Sequence, residues 1–149
     1  MNTFEINAIL ERNPVTKKIY KGCFPSNKIP LCKDFPCAFV VNFDEKGEPG
    51  THWCTVVTPN KRIAYMYDSL GTLGAQYIQK YLNRHFKKVT RLKYRFQSEF
   101  STVCGQYAIF FVYASALKWP PRKIAAVLLK SGDPDTFVVD FMKRHILRL

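Results

Sequence analysis

Cys104 has a sequence context that favours a reactive thiolate. It directly precedes residues 105–119, an almost entirely apolar segment that we predict to be a buried helix. The sulfur would then lie at the helix N-terminus, where unpaired N–H groups and the helix dipole lower the pKa of a thiol. Residues 98–103 are expected to form the loop that precedes it. Cys104 is therefore a candidate nucleophile, and the alternative is a small buried residue at a helix start.

A cysteine nucleophile requires a base, and the chain has three histidines. His85 lies among cationic side chains, which disfavour an imidazolium, and His145 falls near the end of the last expected helix, where a solvent-facing role is favoured. His52 opens a predicted strand and is followed by Trp53, a large residue able to fix the imidazole ring by packing. His52 is therefore the candidate base, and the alternative is a polar residue on an edge strand.

Asp68 and Gln97 supply the other groups that acyl-transfer chemistry needs. Asp68 ends the strand expected to pair with the His52 strand, so the hairpin should place its carboxylate beside the imidazole and orient the ring. Gln97 lies seven residues before Cys104, and its side-chain amide is a candidate donor to an oxyanion, together with the backbone N–H of Cys104. The alternative for Asp68 is an ordinary turn residue, and the alternative for Gln97 is an ordinary polar residue at the end of a strand.

The segments around these residues predict one α+β domain, residues 1–149, with a central antiparallel-rich sheet flanked by helices. An antiparallel meander is expected from strands at 36–43, 51–57 and 62–67, joined by turns at 44–50 and 58–61. A further strand is expected at 90–96, because Leu92, Tyr94 and Phe96 alternate there with basic residues.

Helices are expected between these strands and at both ends of the chain. The first follows the cap Asn2, and the last follows the cap Asp133 and its first-turn proline. The others are expected at 75–88, 105–119 and 122–130. Residues 14–35, rich in proline and lysine, predict an irregular loop. Cys54 shares a strand face with His52, which leaves open whether it lines the site or packs in the core.

The chain is strongly basic, with a net charge of +12. Between Glu48 and Glu99 the single acidic residue is Asp68. Such a surface attracts polyanions without sequence specificity, so we expect nonspecific contact with nucleic acid. The residues expected to make this contact are Arg84, Lys87, Lys88, Arg91, Lys93 and Arg95. The alternative is that these side chains form a solvent-exposed basic surface that binds no nucleic acid.

The five cysteines are expected to be reduced, because an odd number without a signal-peptide pattern argues against a disulfide framework. A zinc site is disfavoured because paired C-x2-C spacings are missing, so no metal is expected. No apolar run reaches the roughly 18 residues that cross a bilayer. The N-terminus also lacks a basic-then-apolar signal pattern, and we therefore expect an intracellular protein that is not secreted and does not contact membranes.

Three segments resemble the motifs of adenovirus-type cysteine endopeptidases: residues 50–57 (GTHWCTVV), 65–69 (YMYDS) and 97–105 (QSEFSTVCG). The same order of His, acid, Gln and Cys is found in the related SUMO-specific and bacterial-effector proteases. The interval between Gln97 and Cys104 resembles the viral branch. Residues 20–30 and 37–42 (CAFVVN) are also similar, so the resemblance extends over most of residues 6–119.

The resemblance implies a papain-like-clan fold with the nucleophile at the N-terminus of a central helix. It implies that His52 is the base, Asp68 its orienter, Gln97 the oxyanion donor and Cys104 the nucleophile. The implied activity is that of an endopeptidase acting on virion precursor proteins, in the host nucleus or viral factory and in the virion. The chemistry needs no cofactor, although DNA or a peptide could activate the enzyme.

The chain also departs from the adenoviral pattern. Adenoviral members have glutamate at the position of Asp68, and the cysteine and surface that receive their activating peptide have no match here. Similar proteases occur in virophages and in Maverick/Polinton-type transposons, and the small size of this chain is consistent with such a source. Two other functions stay open: a protease for SUMO- or ubiquitin-type modifiers using the same residues, and a non-catalytic, basic nucleic-acid-binding module.

Overall fold

A five-stranded sheet in the order β1-β2-β3-β4-β5 organises the residues that the structure, a computed structural model, describes, namely 1–47 and 51–147. The strands are β1 (Tyr20–Pro25), β2 (Cys37–Asn42), β3 (Trp53–Asn60), β4 (Ile63–Tyr67) and β5 (Lys88–Arg91). The helices are α1 (Thr3–Arg12), α2 (Gln76–His85), α3 (Cys104–Ala116), α4 (Pro121–Lys130) and α5 (Pro134–Phe141). A 3₁₀ turn (Thr16–Lys18) follows α1, and a π-helical turn (Met142–Ile146) follows α5.

The centre of the sheet is antiparallel and its two edges are parallel. Strands β2, β3 and β4 form the expected antiparallel meander. Strand β1 pairs with β2 in parallel, and β5 pairs with β4 in parallel, so the sheet is mixed. Strand β3 continues to Asn60, which reduces the turn expected at 58–61 to Lys61 and Arg62. The side chain of Asn60 stabilises that turn by accepting hydrogen bonds from the backbone of Arg62 and Ile63.

The sheet is buried on both faces, which explains why every residue of β2 is buried. Alternate residues of the strands face opposite ways. One set, including Ala38, Val40 and Val57, packs with α3, whereas the other set packs with α2 through Ile78 and Leu82. Cys54 belongs to the α2 side and is buried there, so it packs in the core.

Helix α3 is buried on all sides, as its apolar sequence predicts. Eight of its thirteen residues are buried, and Tyr67 stacks on Phe111 with ring centroids 5.1 Å apart. Thr55 Oγ1 donates a hydrogen bond to the carbonyl oxygen of Ala108 over 3.1 Å, which joins β3 to the helix backbone. The helix begins at Cys104 and ends at Ala116, three residues before the predicted end. Its first residue is therefore held by the central core of the molecule.

Two helix starts follow the capping that the sequence predicts. Asn2 Oδ1 accepts a hydrogen bond from Glu5 N over 2.9 Å, and α1 buries Ile6 and Leu10. Asp133 accepts from the backbone of Thr136 at the start of α5. These caps satisfy N–H groups that have no partner within the helix.

The prediction of an irregular loop at residues 14–35 was wrong for its first half. That half contains the 3₁₀ turn and β1. The pairing of β1 with β2 is interrupted between Tyr20 and Gly22. This irregularity breaks the alternation that would reveal a strand in the sequence. The strand forms because β2 offers a partner distant in the chain.

The prediction of reduced thiols was wrong for two of the five cysteines. Cys32 and Cys37 form a disulfide that joins the segment before β2 to the first residue of that strand. The other three, Cys23, Cys54 and Cys104, are free thiols. Cysteine count alone does not reveal this bridge, because the bridge depends on residues 33–36 bringing the two sulfur atoms together.

The strand expected at 90–96 ends at Arg91. Beyond it, the chain turns toward the residues that follow β4, and the backbone N–H groups of Phe96 and Gln97 both donate to the carbonyl oxygen of Ser69. Leu92 and Phe96 are buried as predicted, whereas Tyr94 is 50% exposed. The alternating pattern identified the two buried residues, but local hydrogen bonding to Ser69 replaces a longer strand.

Candidate active site

His52 and Asp68 form a buried pair at one end of the central hairpin. His52 immediately precedes β3 and Asp68 immediately follows β4, and the antiparallel pairing of these strands brings the two residues together as predicted. The distance from His52 Nε2 to Asp68 Oδ1 is 2.5 Å. Only 1% of the Asp68 side chain is exposed. A charged pair this short and this buried is strongly coupled electrostatically.

The turn after β4 holds the carboxylate of Asp68 in place. Its Oδ1 also accepts a hydrogen bond from the backbone N–H of Leu70 over 3.1 Å. Its Oδ2 accepts from the backbone N–H and the side-chain hydroxyl of Thr72. Burial alone would raise the pKa of Asp68, but the hydrogen bonds from His52, Thr72 and Leu70 lower it below its ordinary value. The side chain is therefore an anion at neutral pH.

The imidazole of His52 is fixed on two sides. Its ring meets Phe43 edge to face, with centroids 4.8 Å apart and an interplanar angle of 89°. This contact takes the role expected of Trp53, whose ring packs in the α3-side core. Because Asp68 occupies Nε2, the ring nitrogen Nδ1 is left to interact with Cys104. Burial alone would lower the pKa of His52, but hydrogen bonds to Asp68 and Cys104 raise it to about 9.

Cys104 is the first residue of α3, and His52 is one of the groups that lower the pKa of its thiol. Burial alone would raise the pKa of the Cys104 thiol. Hydrogen bonds from His52 and from the backbone N–H groups of Trp53 and Gly105 instead lower it below its ordinary value. These donors, together with the helix dipole, stabilise a thiolate beside an imidazolium. His52 is thus paired with Asp68, and His52 and Cys104 shift the pKa values of each other in the directions that favour an imidazolium and a thiolate.

Gln97 is also buried, and both the oxygen and the nitrogen of its side-chain amide are hydrogen-bonded. Its Oε1 accepts a hydrogen bond from Ser69 Oγ over 2.6 Å, and its Nε2 donates to the carbonyl oxygen of Ser101 over 2.8 Å. Ser69 adjoins Asp68, and Ser101 lies three residues before Cys104. Among residues 1–47 and 51–147, the second N–H of this amide has no hydrogen-bond acceptor and is available for another one. Gln97 therefore stays a candidate donor to an oxyanion.

Several residues of this site were not predicted from the sequence. Thr72 and Phe43 hold the Asp68 carboxylate and the His52 ring, respectively. The backbone N–H of Trp53 helps to lower the pKa of the Cys104 thiol. A threonine four residues after an aspartate in a glycine-containing turn is a weak signal for Thr72. Phe43 and the Trp53 amide become visible only once β2 and β3 are paired.

The basic residues expected to bind nucleic acid occupy different settings. Lys87 and Lys88 line one surface groove with Lys61 and Arg62, two residues outside the predicted set. Arg84 and Lys93 are exposed, and Arg91 is half-buried. Arg95 Nε donates a hydrogen bond to the carbonyl oxygen of Gln97 over 3.2 Å. Four basic side chains therefore meet in one groove where β4 and β5 begin.

The described residues contain no group of three or more His, Cys, Asp or Glu side chains that could hold a metal ion. Within residues 1–47 and 51–147, no helix has the length and apolar character needed to span a bilayer.

The described residues form an α+β fold in which helices flank a mixed sheet and a cysteine begins the central helix. Among solved structures, the chain is similar to the ASFV pS273R protease, with a TM-score of 0.66 and 17% sequence identity. The alignment covers 100% of this chain and 68% of that chain. The predicted fold class is thereby confirmed, and the resemblance to the adenovirus-type branch stays a prediction. Comparisons with protein-family profiles and with curated proteins found no match.

Proposed function

We propose that this protein is a cysteine endopeptidase that uses Cys104, His52, Asp68 and Gln97. The observation that carries the proposal is the buried pair of His52 and Asp68, with 2.5 Å between Nε2 and Oδ1, whose imidazole also lowers the pKa of the Cys104 thiol at the start of α3. A thiolate stabilised by an imidazolium is the reactive form of a cysteine nucleophile. The likeness to a protein named as a protease supports the same activity.

In the proposed mechanism, the Cys104 thiolate attacks the carbonyl carbon of a peptide bond. The negative charge that develops on the carbonyl oxygen is stabilised by the backbone N–H of Cys104 and by the free amide N–H of Gln97. The His52 imidazolium then protonates the leaving amine, and the peptide C–N bond breaks. His52, now neutral, takes a proton from water as the water oxygen attacks the thioester carbon. The C–S bond breaks, the carboxylic acid is released, and the Cys104 thiolate is restored beside the His52 imidazolium.

Asp68 contributes by orienting the ring and stabilising its positive charge. Because its carboxylate accepts four hydrogen bonds in all, from His52, Leu70 and Thr72, it has little freedom to rotate. The ring is thereby held with one nitrogen toward Asp68 and the other toward Cys104. This is the division of roles in the Ser-His-Asp and Cys-His-Asn enzymes.

The proposed substrates are virion precursor proteins cut next to small residues such as glycine. The three motifs that resemble adenovirus-type endopeptidases support this substrate class, as does the viral source of the similar protease. We also propose that the groove lined by Lys61, Arg62, Lys87 and Lys88 contacts DNA through its phosphates and that DNA can raise the activity. A SUMO- or ubiquitin-type substrate is the rival for the same catalytic residues.

The test is cleavage of a peptide library by the wild-type chain and by Cys104→Ala. Wild type should cleave a subset of peptides, and the variant should lose all measurable turnover while keeping its thermal unfolding temperature. Cys23→Ala is the matched control, because Cys23 is also a free thiol but burial raises its pKa to about 12. Residual cleavage by Cys104→Ala would refute the assignment. Rapid labelling by ubiquitin or SUMO probes would favour the rival substrate.

A further inference from the structure

Asp135 lies on α5, 31 residues after Cys104 in the chain. Its carboxylate nevertheless contacts one residue that precedes Cys104 and one that follows it. Its Oδ1 accepts a hydrogen bond from Tyr107 Oη over 2.6 Å. Its Oδ2 accepts from the backbone N–H of Ser98 over 3.3 Å. Burial alone would raise the pKa of Asp135, but hydrogen bonds from Tyr107, Ser98 and Ser101 lower it, so the group is an anion that accepts from several donors.

These partners are the neighbours of the proposed catalytic groups. Tyr107 is completely buried and lies one turn of α3 after Cys104. Ser98 follows Gln97 directly, and the carbonyl oxygen of Ser101 accepts the hydrogen bond from the Gln97 amide. One carboxylate on α5 therefore joins the rigid start of α3 to the loop at residues 97–103.

Apart from the Gln97 amide and the packing of Val103 on the core, the loop at residues 98–103 has few attachments to the rest of the molecule. Residues 98–103 contain no helix or strand, and Phe100, its one large apolar side chain, is 93% exposed. Two hydrogen bonds lie within the loop, from Ser101 N to Ser98 O and from Val103 N to Ser101 Oγ. Because apolar packing holds the loop only at Val103, the position of residues 98–102 depends on hydrogen bonds from outside, which Asp135 and the Gln97 amide supply.

A simpler role for Asp135 would be to cap its own helix. That role is already filled by Asp133, whose carboxylate accepts hydrogen bonds from the backbone N–H and the hydroxyl of Thr136. Asp135 is the second residue of α5, and its hydrogen bonds lead away from the helix to α3 and the loop. Its contacts are those of an anchor between elements.

We propose that Asp135 is a positioning residue that holds the loop at residues 97–103, so that the Gln97 amide is aimed at the oxyanion. The inference rests on the proposed peptidase activity and extends it to α5. It predicts that α5 affects the transition state through Gln97 while leaving the nucleophile unchanged. Cys104 is held independently, because α3 is fixed by the core and by Thr55.

The test is Asp135→Asn. The amide keeps the shape of the carboxylate but presents one acceptor and one donor, so it cannot accept from both Tyr107 and Ser98. We expect kcat to fall about 10-fold, because misplacing a group near the reacting atoms is costly, with little change in KM. The rate at which iodoacetamide alkylates Cys104 should not change, since that reaction needs the thiolate and no oxyanion donor.

A double-mutant comparison separates positioning from a general structural role. In a Gln97→Ala background, Asp135→Asn should lower kcat further by less than about 2-fold, because the group it positions is gone. The matched control is Asp140→Asn on the same helix, an exposed aspartate that we expect to leave kcat unchanged. Tyr107→Phe removes one hydroxyl from a buried ring and provides a second variant, expected to lower kcat in the same direction.

Amide hydrogen exchange at residues 98–103 tests the anchor without any substrate. Exchange there should become faster in Asp135→Asn and stay unchanged in Asp140→Asn. Unchanged exchange would overturn the inference, as would an equal loss of kcat with and without Gln97. A wild-type chain without Cys104-dependent cleavage would instead overturn the proposed function and, with it, the catalytic part of this inference. The exchange result would then still report whether Asp135 anchors the loop.

Discussion

Ionisation of His52, Asp68 and Cys104 is coupled because the charge of His52 interacts with the charges of both Asp68 and Cys104. Burial acts against the charged form of all three, and the hydrogen bonds reverse its effect in each case. The raised pKa of His52, about 9, keeps the imidazolium present at neutral pH. Its contribution to the free energy of unfolding is full below the unfolded pKa of about 6.5 and is lost as the pH rises through about 9.

The pH dependence of kcat/KM tests the role of Asp68. In wild type, activity should fall on the alkaline side as the His52 imidazolium loses its proton near pH 9. In Asp68→Asn the carboxylate that raises this pKa is gone, so the alkaline limb should move to lower pH by about 1 unit or more. The rate at the optimum should fall by ~100-fold or more, because the ring loses its orienting partner.

Asp140→Asn serves as the control for this profile, since it removes an exposed carboxylate from α5 and should leave the alkaline limb in place. An alkaline limb that stays at the wild-type pH in Asp68→Asn would contradict the assignment of Asp68. It would mean that another group sets the pKa of the imidazole.

At the scale of elements, the turn after β4 connects the Asp68 carboxylate to the segment that carries Gln97. Gly71 lies in this turn with φ +69°, in the left-handed region. A Cβ at this position would lie 2.8 Å from the backbone carbonyl carbon and oxygen of Tyr94. The close approach lets the segment at 94–97 run beside the turn, where Ser69 accepts its two backbone hydrogen bonds.

Gly71→Ala should therefore be more destabilising than an ordinary glycine substitution. Gly132 is the matched control, because its φ is +79° but a Cβ there would meet nothing within 4 Å. We expect Gly132→Ala to lower the free energy of unfolding by roughly 1–2 kcal/mol, the cost of the left-handed conformation alone. Gly71→Ala should lower the free energy of unfolding by about 1–3 kcal/mol more than Gly132→Ala does, because of the clash. Urea unfolding measures both, and equal losses would contradict the predicted clash with Tyr94.

At the scale of the whole molecule, the β5 edge of the sheet carries a groove lined by Lys61, Arg62, Lys87 and Lys88. The net charge is +12, and the backbone N–H of Lys88 donates to the carbonyl oxygen of Arg62 over 3.0 Å, which joins the two basic pairs that line the groove. Clustered cations of this kind bind phosphates through release of counterions. Asp68 is buried, so it does not offset the charge of this surface.

Lys87→Ala combined with Lys88→Ala tests the proposed binding of DNA. Affinity for duplex DNA should fall, and the slope of log K against log salt should become shallower by about 1 for each phosphate that the protein no longer neutralises. The control pair is Lys17→Ala and Lys18→Ala, two exposed lysines of the 3₁₀ turn, which adjoins β1 at the opposite edge of the sheet. Equal reductions in affinity for both pairs would indicate attraction by net charge alone, without a site at the groove.

The sequence by itself determined the features that depend on local pattern. The apolar run after Cys104 predicted a buried helix with the cysteine at its start, and the turn between two strands predicted that His52 and Asp68 meet. Both follow from helix and strand periodicity over a short stretch of chain. The caps Asn2 and Asp133 were predictable for the same reason.

Tertiary structure decided whatever depends on residues distant in the chain. The strand β1, the Cys32–Cys37 disulfide and the early end of β5 each arise from a partner that local sequence does not identify. The same holds for Phe43 against His52 and for Asp135, which reaches the loop before Cys104 from the last α-helix. A pattern of residue types records which side chains are apolar or polar, whereas the position of a hydrogen-bond partner depends on how the whole chain packs.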